Sequence, residues 1–418
     1  MKKYIMLVAA AAAMAAMAED ERGFKFFGER LTLRPYVSLS YTYDSNVHSV
    51  HDRQSGSTWV VNPGFSLDYK GDNWSIDGRV YYQYHAYNRD VHQLNTSSYG
   101  ETLSFKWRNA PVTEKGFDLI LSETFQQIAQ DDDATEHGGR GYGRDRMSAT
   151  FSGVLERRFN EHLHADVYGD YYFLDFDNDV KKYGTLYGWD RWTLGASAGY
   201  MFSRWLDAVI SASYYGYTQD NNKNLMQDVY DDETSKNRHY KHQSEGWSLM
   251  GGLSSRATER ITYRTRVGWS HFEYADVYSQ DGWTYQVDAR WQLDDGNRWN
   301  MFLLGNSYYQ PGERDYGTAH KVYTASWGIG HALLQNKLNV TFDLSYRCED
   351  TVYSDSRSSN STDHIYTARL GLSYRIRHYL SVYGRAEYQL MDSHDGGYWN
   401  DYYDYNRYRL TVGLRLTY

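Results

Sequence analysis

From Pro35 to Tyr418 the chain switches between apolar and polar side chains residue by residue, in one stretch after another. The last stretch, Asn406–Tyr418, is the clearest. Tyr408, Leu410, Val412, Leu414, Leu416 and Tyr418 fall on one side of an extended strand, and Arg407, Arg409, Thr411, Gly413, Arg415 and Thr417 fall on the other. Side chains alternate faces in a strand, whereas a helix would wind these two sets together. The chain is therefore predicted to be all-β.

The same period runs through Pro35–Asp44, Trp59–Tyr69 and Trp74–Asn88, and onward through Trp192–Phe202, Trp283–Trp291, Leu338–Tyr346, Tyr366–Tyr374 and Leu380–Leu390. Arg298–Gln310 is ambiguous in phase, because Met301 and Leu303 oppose Phe302 and Leu304. About eighteen strands, with about sixteen as the alternative count, have the length a tilted strand needs to cross a bilayer. Short connections such as Gly71–Asn73, Arg158–Glu161, Gln335–Asn336 and Arg377–His378 take turns with long ones such as Ser45–Ser57, Ala129–Gly143, Gln219–His242 and Met391–Tyr405. A soluble sandwich has no reason to keep that order, whereas a membrane barrel has short periplasmic turns and long extracellular loops. An even count also brings the first strand beside the last and removes both sheet edges. The expected fold is a transmembrane antiparallel up-and-down β-barrel over residues 35–418.

A strongly negative mean hydropathy excludes a helical membrane bundle but not a barrel, in which only every second residue meets lipid. The 43 Tyr and 13 Trp suit a protein with two interfacial aromatic belts. The one long apolar run is N-terminal. Lys2 and Lys3 precede Tyr4–Ala15, and Ala16-Met17-Ala18 forms a small-residue cleavage site, so residues 1–18 read as a secretory signal peptide. Residues 19–34 are left as a short periplasmic segment, too short for the plug of an energised siderophore-type transporter. Cys348 is the chain's only cysteine, which excludes an internal disulfide and a multi-thiol metal site. A net charge of -9 argues against nucleic acid as a partner.

The apolar face ending in a C-terminal aromatic resembles the closing strand of bacterial outer-membrane barrels. That likeness implies that the outer-membrane assembly machinery reads Asn406–Tyr418. It also implies a protein seated among lipid and lipopolysaccharide in the outer membrane of a Gram-negative, diderm bacterium. The stretch Pro35-Tyr36-Val37-Ser38-Leu39-Ser40-Tyr41-Thr42-Tyr43-Asp44-Ser45-Asn46-Val47 resembles the opening strand of the β-barrel porin 2 family, where a proline-led alternating strand runs into an Asp-x-Asn turn. This implies a porin-like barrel and says little of its substrate.

If the apolar faces meet lipid, the opposite faces line a lumen. The expected pore-lining residues are Arg79, Arg264, Arg266, Arg290, Arg347, Arg369, Arg385, Arg407 and Arg409, with Asp77, Asp288, Asp343, Glu387 and Tyr81. An arginine on the lipid face near the midplane costs about 2–4 kcal/mol, which decides which face is inside. A buried ion needs water or a partner, so the lumen is expected to be wet. Arg347, Arg369, Arg375, Arg385, Arg407, Arg409 and Arg415 come from the last four strands and form one basic wall, with Arg79 beside it after closure. Two readings stand: a field that draws anions or acidic saccharides, and Arg–carboxylate or Arg–Tyr pairs that brace the wall. Lumen-phase tyrosines such as Tyr81, Tyr172, Tyr215, Tyr217 and Tyr383 either guide sugar rings or pack within the wall.

Catalytic and metal chemistry find little support, and neither a cofactor nor enzymatic activity is expected. There is no G-x-S-x-G, H-E-x-x-H or P-loop, and acidic stretches such as Asp131-Asp132-Asp133 lack an EF-hand frame. His162 and His164 share a face beside a turn and are expected at the rim. The leading expectation is a porin-like channel for passive diffusion of small hydrophilic solutes. The alternatives are a surface-exposed adhesin or structural barrel acting through its long acidic loops, and a polysaccharide export conduit. A homo-oligomer is an open option for such a barrel.

Overall fold

The computed structural model describes residues 23–47, 54–88, 95–108, 116–130, 146–176, 189–203, 205–219, 242–255, 260–274, 278–293, 298–311, 318–353, 361–395 and 404–417. Among these, every regular element is a strand: β1 (Phe24–Phe26), β2 (Leu31–Asp44), β3 (Gly56–Lys70), β4 (Trp74–Tyr87), β5 (Thr96–Arg108), β6 (Gly116–Gln130), β7 (Arg146–Arg158), β8 (Leu163–Phe176), β9 (Trp189–Ser203), β10 (Leu206–Gln219), β11 (His242–Ser254), β12 (Ile261–Tyr274), β13 (Tyr278–Gln292), β14 (Trp299–Pro311), β15 (Thr318–Leu333), β16 (Leu338–Tyr353), β17 (Ser361–Arg377), β18 (Leu380–Asp395) and β19 (Tyr405–Thr417). From β2 onward each strand pairs antiparallel with the next, and β19 returns to β2 from Arg409↔Asp44 to Thr417↔Tyr36. The result is a closed, 18-stranded up-and-down barrel with one extra short strand.

The expected start of the first barrel strand is corrected. It begins at Leu31, not Pro35, because Leu31 and Leu33 continue the apolar phase and pair with Tyr69 and Leu67 of β3. This end of β2 projects past the last residue of β19. The extra strand β1 covers the edge so exposed, pairing Phe24↔Leu33 and Phe26↔Leu31. Tight turns join strands at one end of the barrel. In the first, the Gly71 amide donates to the Trp74 carbonyl at 2.8 Å. Leu334, Gln335 and Asn336 all take positive φ (51°, 57° and 65°) to reverse the chain between β15 and β16.

The two faces separate as the alternation requires. Leu103, Leu121, Val167, Leu194, Ile210, Leu249, Val267, Leu370 and Val412 point outward and are exposed. Exposed aromatics flank this aliphatic band. Trp74, Phe202, Trp205, Trp299 and Tyr374 lie toward the tight turns, and Tyr41, Trp59, Trp192, Tyr214, Trp247, Trp269, Trp283, Tyr388 and Tyr408 lie toward the other end. A continuous apolar surface of this extent is stable only against hydrocarbon, and its aromatic edges match the two interfaces of a bilayer.

One seam departs from the regular barrel. Pairing between β13 and β14 runs from Gln292↔Asn300 only to Gln286↔Asn306 and then stops, although both strands continue. Below the break the phase ambiguity of β14 is settled. Leu303 points outward and is exposed, opposite Ala289 and Trp327, while Phe302 and Leu304 join the inner face opposite Arg290 and Asp288.

Candidate functional site

The inner face carries the chemistry, and strand register decides which charges meet. At the closing seam the Arg407 Nε of β19 donates to both Asp44 oxygens of β2, at 2.8 and 2.9 Å. Two strands onward, Arg369, Glu387 and Arg409 stand in one row across β17, β18 and β19. Glu387 is 5% exposed and accepts from Arg369 Nε at 2.9 Å, from Arg385 Nη2 at 2.9 Å, and from Arg409. Arg369 also reaches Asp343 of β16 at 3.3 Å. Three arginines thus share two carboxylates. Most of the basic wall expected over the last four strands is cross-braced, and this cluster of three arginines and two carboxylates keeps one net positive charge.

Arg79 of β4 lies near that wall, since ring closure brings β2–β4 beside β19. Its Nε donates to the Tyr36 hydroxyl at 2.9 Å, and its guanidinium stands 5.0 Å from the Tyr36 ring and 5.5 Å from that of Tyr81. Arg415 lies 4.7 Å from the same Tyr36 ring. Among the described residues neither arginine meets a carboxylate. Tyr81 itself lies flat on Gly100, and Tyr383 on Gly413, where no Cβ would fit. These tyrosines therefore pave the wall and do not project into the lumen.

A second charged region lies across β7, β8 and β11–β13, where a cavity of about 890 Å³ opens into the lumen. Arg264, Arg266, Arg290 and Tyr168 line it, and its five arginines face five carboxylates, among them Asp166, Asp170 and Asp288. Arg290 pairs with Asp288 at 3.1 Å, and Arg158 and Arg108 share Asp118 at 3.3 and 3.1 Å. Arg264 and Arg266 are different: among the described residues neither forms an ion pair. In the cavity wall His164 and Asp207 are buried against each other at 3.0 Å, and the Ser254 hydroxyl donates to Asp207 at 3.1 Å. That hydroxyl is directed at the carboxylate rather than the imidazole, so the trio braces the wall.

Toward the end opposite the tight turns, aromatic side chains fill part of the lumen. Leu174, Trp189, Tyr217, Phe272 and Tyr309 form a buried cluster, with Tyr172 and Tyr215 packed on it. Phe272 and Tyr309 stack at 4.9 Å with their planes 6° apart, and the Tyr217 hydroxyl donates to the Tyr309 carbonyl. Sequence reading missed most of this cluster. Leu174, Trp189 and Phe272 stand in lumen phase, so large apolar residues at polar-face positions were an available signal; Tyr309 stands in the lipid phase and gave none.

No family model matches the chain, and no curated protein matches it. Several solved structures are similar to it. The ferric enterobactin receptor of Pseudomonas aeruginosa aligns at 10% identity and a TM-score of 0.47, covering 95% of this chain and 81% of that one. The siderophore receptor of Acinetobacter baumannii gives 9%, 0.43, 95% and 81%, and the copper transporter OprC gives 10%, 0.41, 96% and 81%. Likeness at this level carries no information about cargo. The β-barrel porin 2 resemblance of Pro35–Val47 gains no support from these comparisons.

The remaining expected residues fall as follows. Asp77 pairs with Lys106 at 3.5 Å, and Arg347 pairs with Glu349. The two histidines are not a pair. His164 turns inward to Asp207, whereas His162 sits in the turn, donates through Nδ1 to the Met201 carbonyl (2.8 Å), and stacks on Tyr200. The turn ends before β8 begins at Leu163, so strand alternation does not reach His162. Residues 1–18, Asp131-Asp132-Asp133, most of the Gln219–His242 loop and Tyr418 lie outside the described residues.

Proposed function

We propose that this chain is an outer-membrane channel through which small hydrophilic solutes diffuse passively, with anions and acidic saccharides favoured. The observation that carries this reading is the set of four inward-facing arginines that form no ion pair among the described residues: Arg79 and Arg415 on one wall, Arg264 and Arg266 on the other. Guanidinium groups that no ion pair ties down and that face an aqueous passage raise the local concentration of anions and repel cations. The braced arginines, by contrast, spend their charge on Glu387, Asp343 and Asp44 and hold the wall in shape. The cavity beside Arg264 and Arg266 has the volume of an ordinary small-ligand pocket, enough for a sugar-sized solute. In this reading the outward band sits in lipid below lipopolysaccharide, and Asn406–Tyr418 is the strand the assembly machinery engages.

Reversal potentials in a planar bilayer under a salt gradient test the proposal. The wild-type barrel is expected to prefer anions. The double variant Arg264→Ala/Arg266→Ala is expected to lower the anion-to-cation permeability ratio on the order of threefold, since both charges face the passage. A wild-type preference for cations overturns the selectivity, and a barrel that never conducts overturns the channel.

A further inference from the structure

We propose that the outer halves of β14 and β15 form a flap with two positions: folded into the lumen, as in this structure, and swung back into the wall, where it clears the passage. This inference rests on the channel reading.

Past Gln286↔Asn306, β13 runs on to Tyr278 paired with β12 alone, and β14 runs on to Pro311 paired with β15 alone. Two neighbouring strands therefore part over the outer third of the barrel. Alternation from exposed Leu303 puts Ser307 and Tyr309 in the outward phase of β14. Their contacts are nevertheless with the inner face of other strands. The Ser307 carbonyl accepts from Thr284 Oγ1 at 3.1 Å, and Tyr309 stacks on Phe272 of β12. Thr284 and Phe272 alternate with Trp283 and Trp269, which point outward, so both face inward. The flap thus lies beneath β10–β13, one layer in. Val322, on its opposite face, is 0% exposed, so the flap is packed on both sides and blocks that part of the lumen.

The chain is nonetheless patterned for the wall. Continuing the β13–β14 register one residue at a time sets Ser307 opposite Tyr285, Tyr308 opposite Thr284, Tyr309 opposite Trp283, and Gln310 opposite Gly282. Tyr309 then joins Trp283 in the outer aromatic girdle, and Gln310 faces the lumen. Both edges left open at the break would be paired again.

Lys321 sets the two positions against each other. It lies opposite Tyr309 on β15, in outward phase, yet it is 4% exposed. Its ammonium stands 4.9 Å from the Tyr309 ring and 5.5 Å from the Tyr323 ring, pressed on Gly282; Asp350, opposite it on β16, attracts it from a distance, and no ion pair closes between them. Asp350 offsets only part of the cost of burying a cation without a closed ion pair, so Lys321 opposes the folded-in position, while the aromatic stack favours it. In the wall position the Lys321 stem would run along the girdle and release its ammonium to the interface. Gly305, the last outward residue before the break, is the hinge. A Cβ there would stand 2.9 Å from the Thr324 carbonyl and 3.3 Å from the Tyr285 ring.

Cross-linking tests the flap directly. Cys348 is first replaced by serine, and Trp283→Cys/Tyr309→Cys is built in that background. Opposite residues of an antiparallel ladder bring their Cα atoms to about 4.5–5.5 Å, within disulfide reach, whereas residues on stacked layers about 10 Å apart are not. Mass spectrometry after mild oxidation is expected to find the bond. Bilayer conductance of the oxidised form is expected to exceed that of the dithiothreitol-treated form about twofold, as the wider mouth requires. Lys321→Met is expected to lower conductance by removing what opposes closure. Failure to cross-link in a barrel that conducts overturns the flap, and so does a cross-link that leaves conductance unchanged. Absence of conductance from wild type and cross-linked barrel alike overturns the channel reading instead, because the bond is read without transport.

Discussion

Replacing Glu387 with glutamine is expected to destabilise the barrel by about 2–4 kcal/mol, one of the larger single-residue losses available on the inner wall. The carboxylate is 5% exposed and binds Arg369, Arg385 and Arg409 together. Removing it leaves three guanidinium groups from three adjacent strands facing one another with Asp343, on Arg369, as the remaining counter-charge among the described residues. The loss stays below the upper limit for a buried ion because those arginines are 34%, 51% and 37% exposed, so lumen water screens part of the repulsion. Urea titration of the barrel refolded into vesicles, followed by tryptophan fluorescence, measures the change. The same variant is expected to become more anion-selective, since the wall gains net positive charge. A variant as stable as wild type would mean that the hub is not a brace.

The second large effect separates neighbouring residues on one strand. Val412→Arg is expected to cost about 2–4 kcal/mol, the penalty for an arginine facing hydrocarbon near the midplane. Val412 is 61% exposed on the outward face, between Leu410 and Leu414. Thr411→Arg, one residue away, faces the lumen. It gives up a hydrogen bond of 2.8 Å to Thr42 across the closing seam, a loss of about 1 kcal/mol. A soluble sheet with Val412 packed in a core would punish the first substitution as well, but such a core would also leave the barrel soluble without detergent. Equal costs at the two positions would contradict the assignment of faces.

Most of the architecture was legible because strand periodicity is local. One row such as Tyr408, Leu410, Val412 and Leu414 fixes its own face without knowledge of any other strand. Repeated through the chain it yields the strand count, the faces and the closure of β19 on β2. The placement of Arg79 near the C-terminal wall followed from that closure. Partner identities were less legible. That Glu387 and not Asp288 collects three arginines depends on register between strands, which turn lengths and single bulges set. The separation of His162 from His164 was hidden because alternation fails once the chain enters a turn. The in-folded outer part of β14 was the least legible. Tyr309 carries the pattern of a lipid-facing residue, and only the lost pairing with β13 puts it in the lumen. The one hint was β14 itself, where apolar residues occupy both faces.

Spin labels placed singly along β19 in the refolded, vesicle-bound barrel test the central claim, that alternate residues face lipid and water. Collision with oxygen, which concentrates in hydrocarbon, is expected to be high at Leu410, Val412 and Leu414. Collision with a water-soluble nickel chelate is expected to be high at Arg409, Thr411 and Arg415, so that the two profiles oscillate out of step with a period of two residues. Profiles that rise and fall together, or a chelate that reaches Val412 as readily as Thr411, would contradict it.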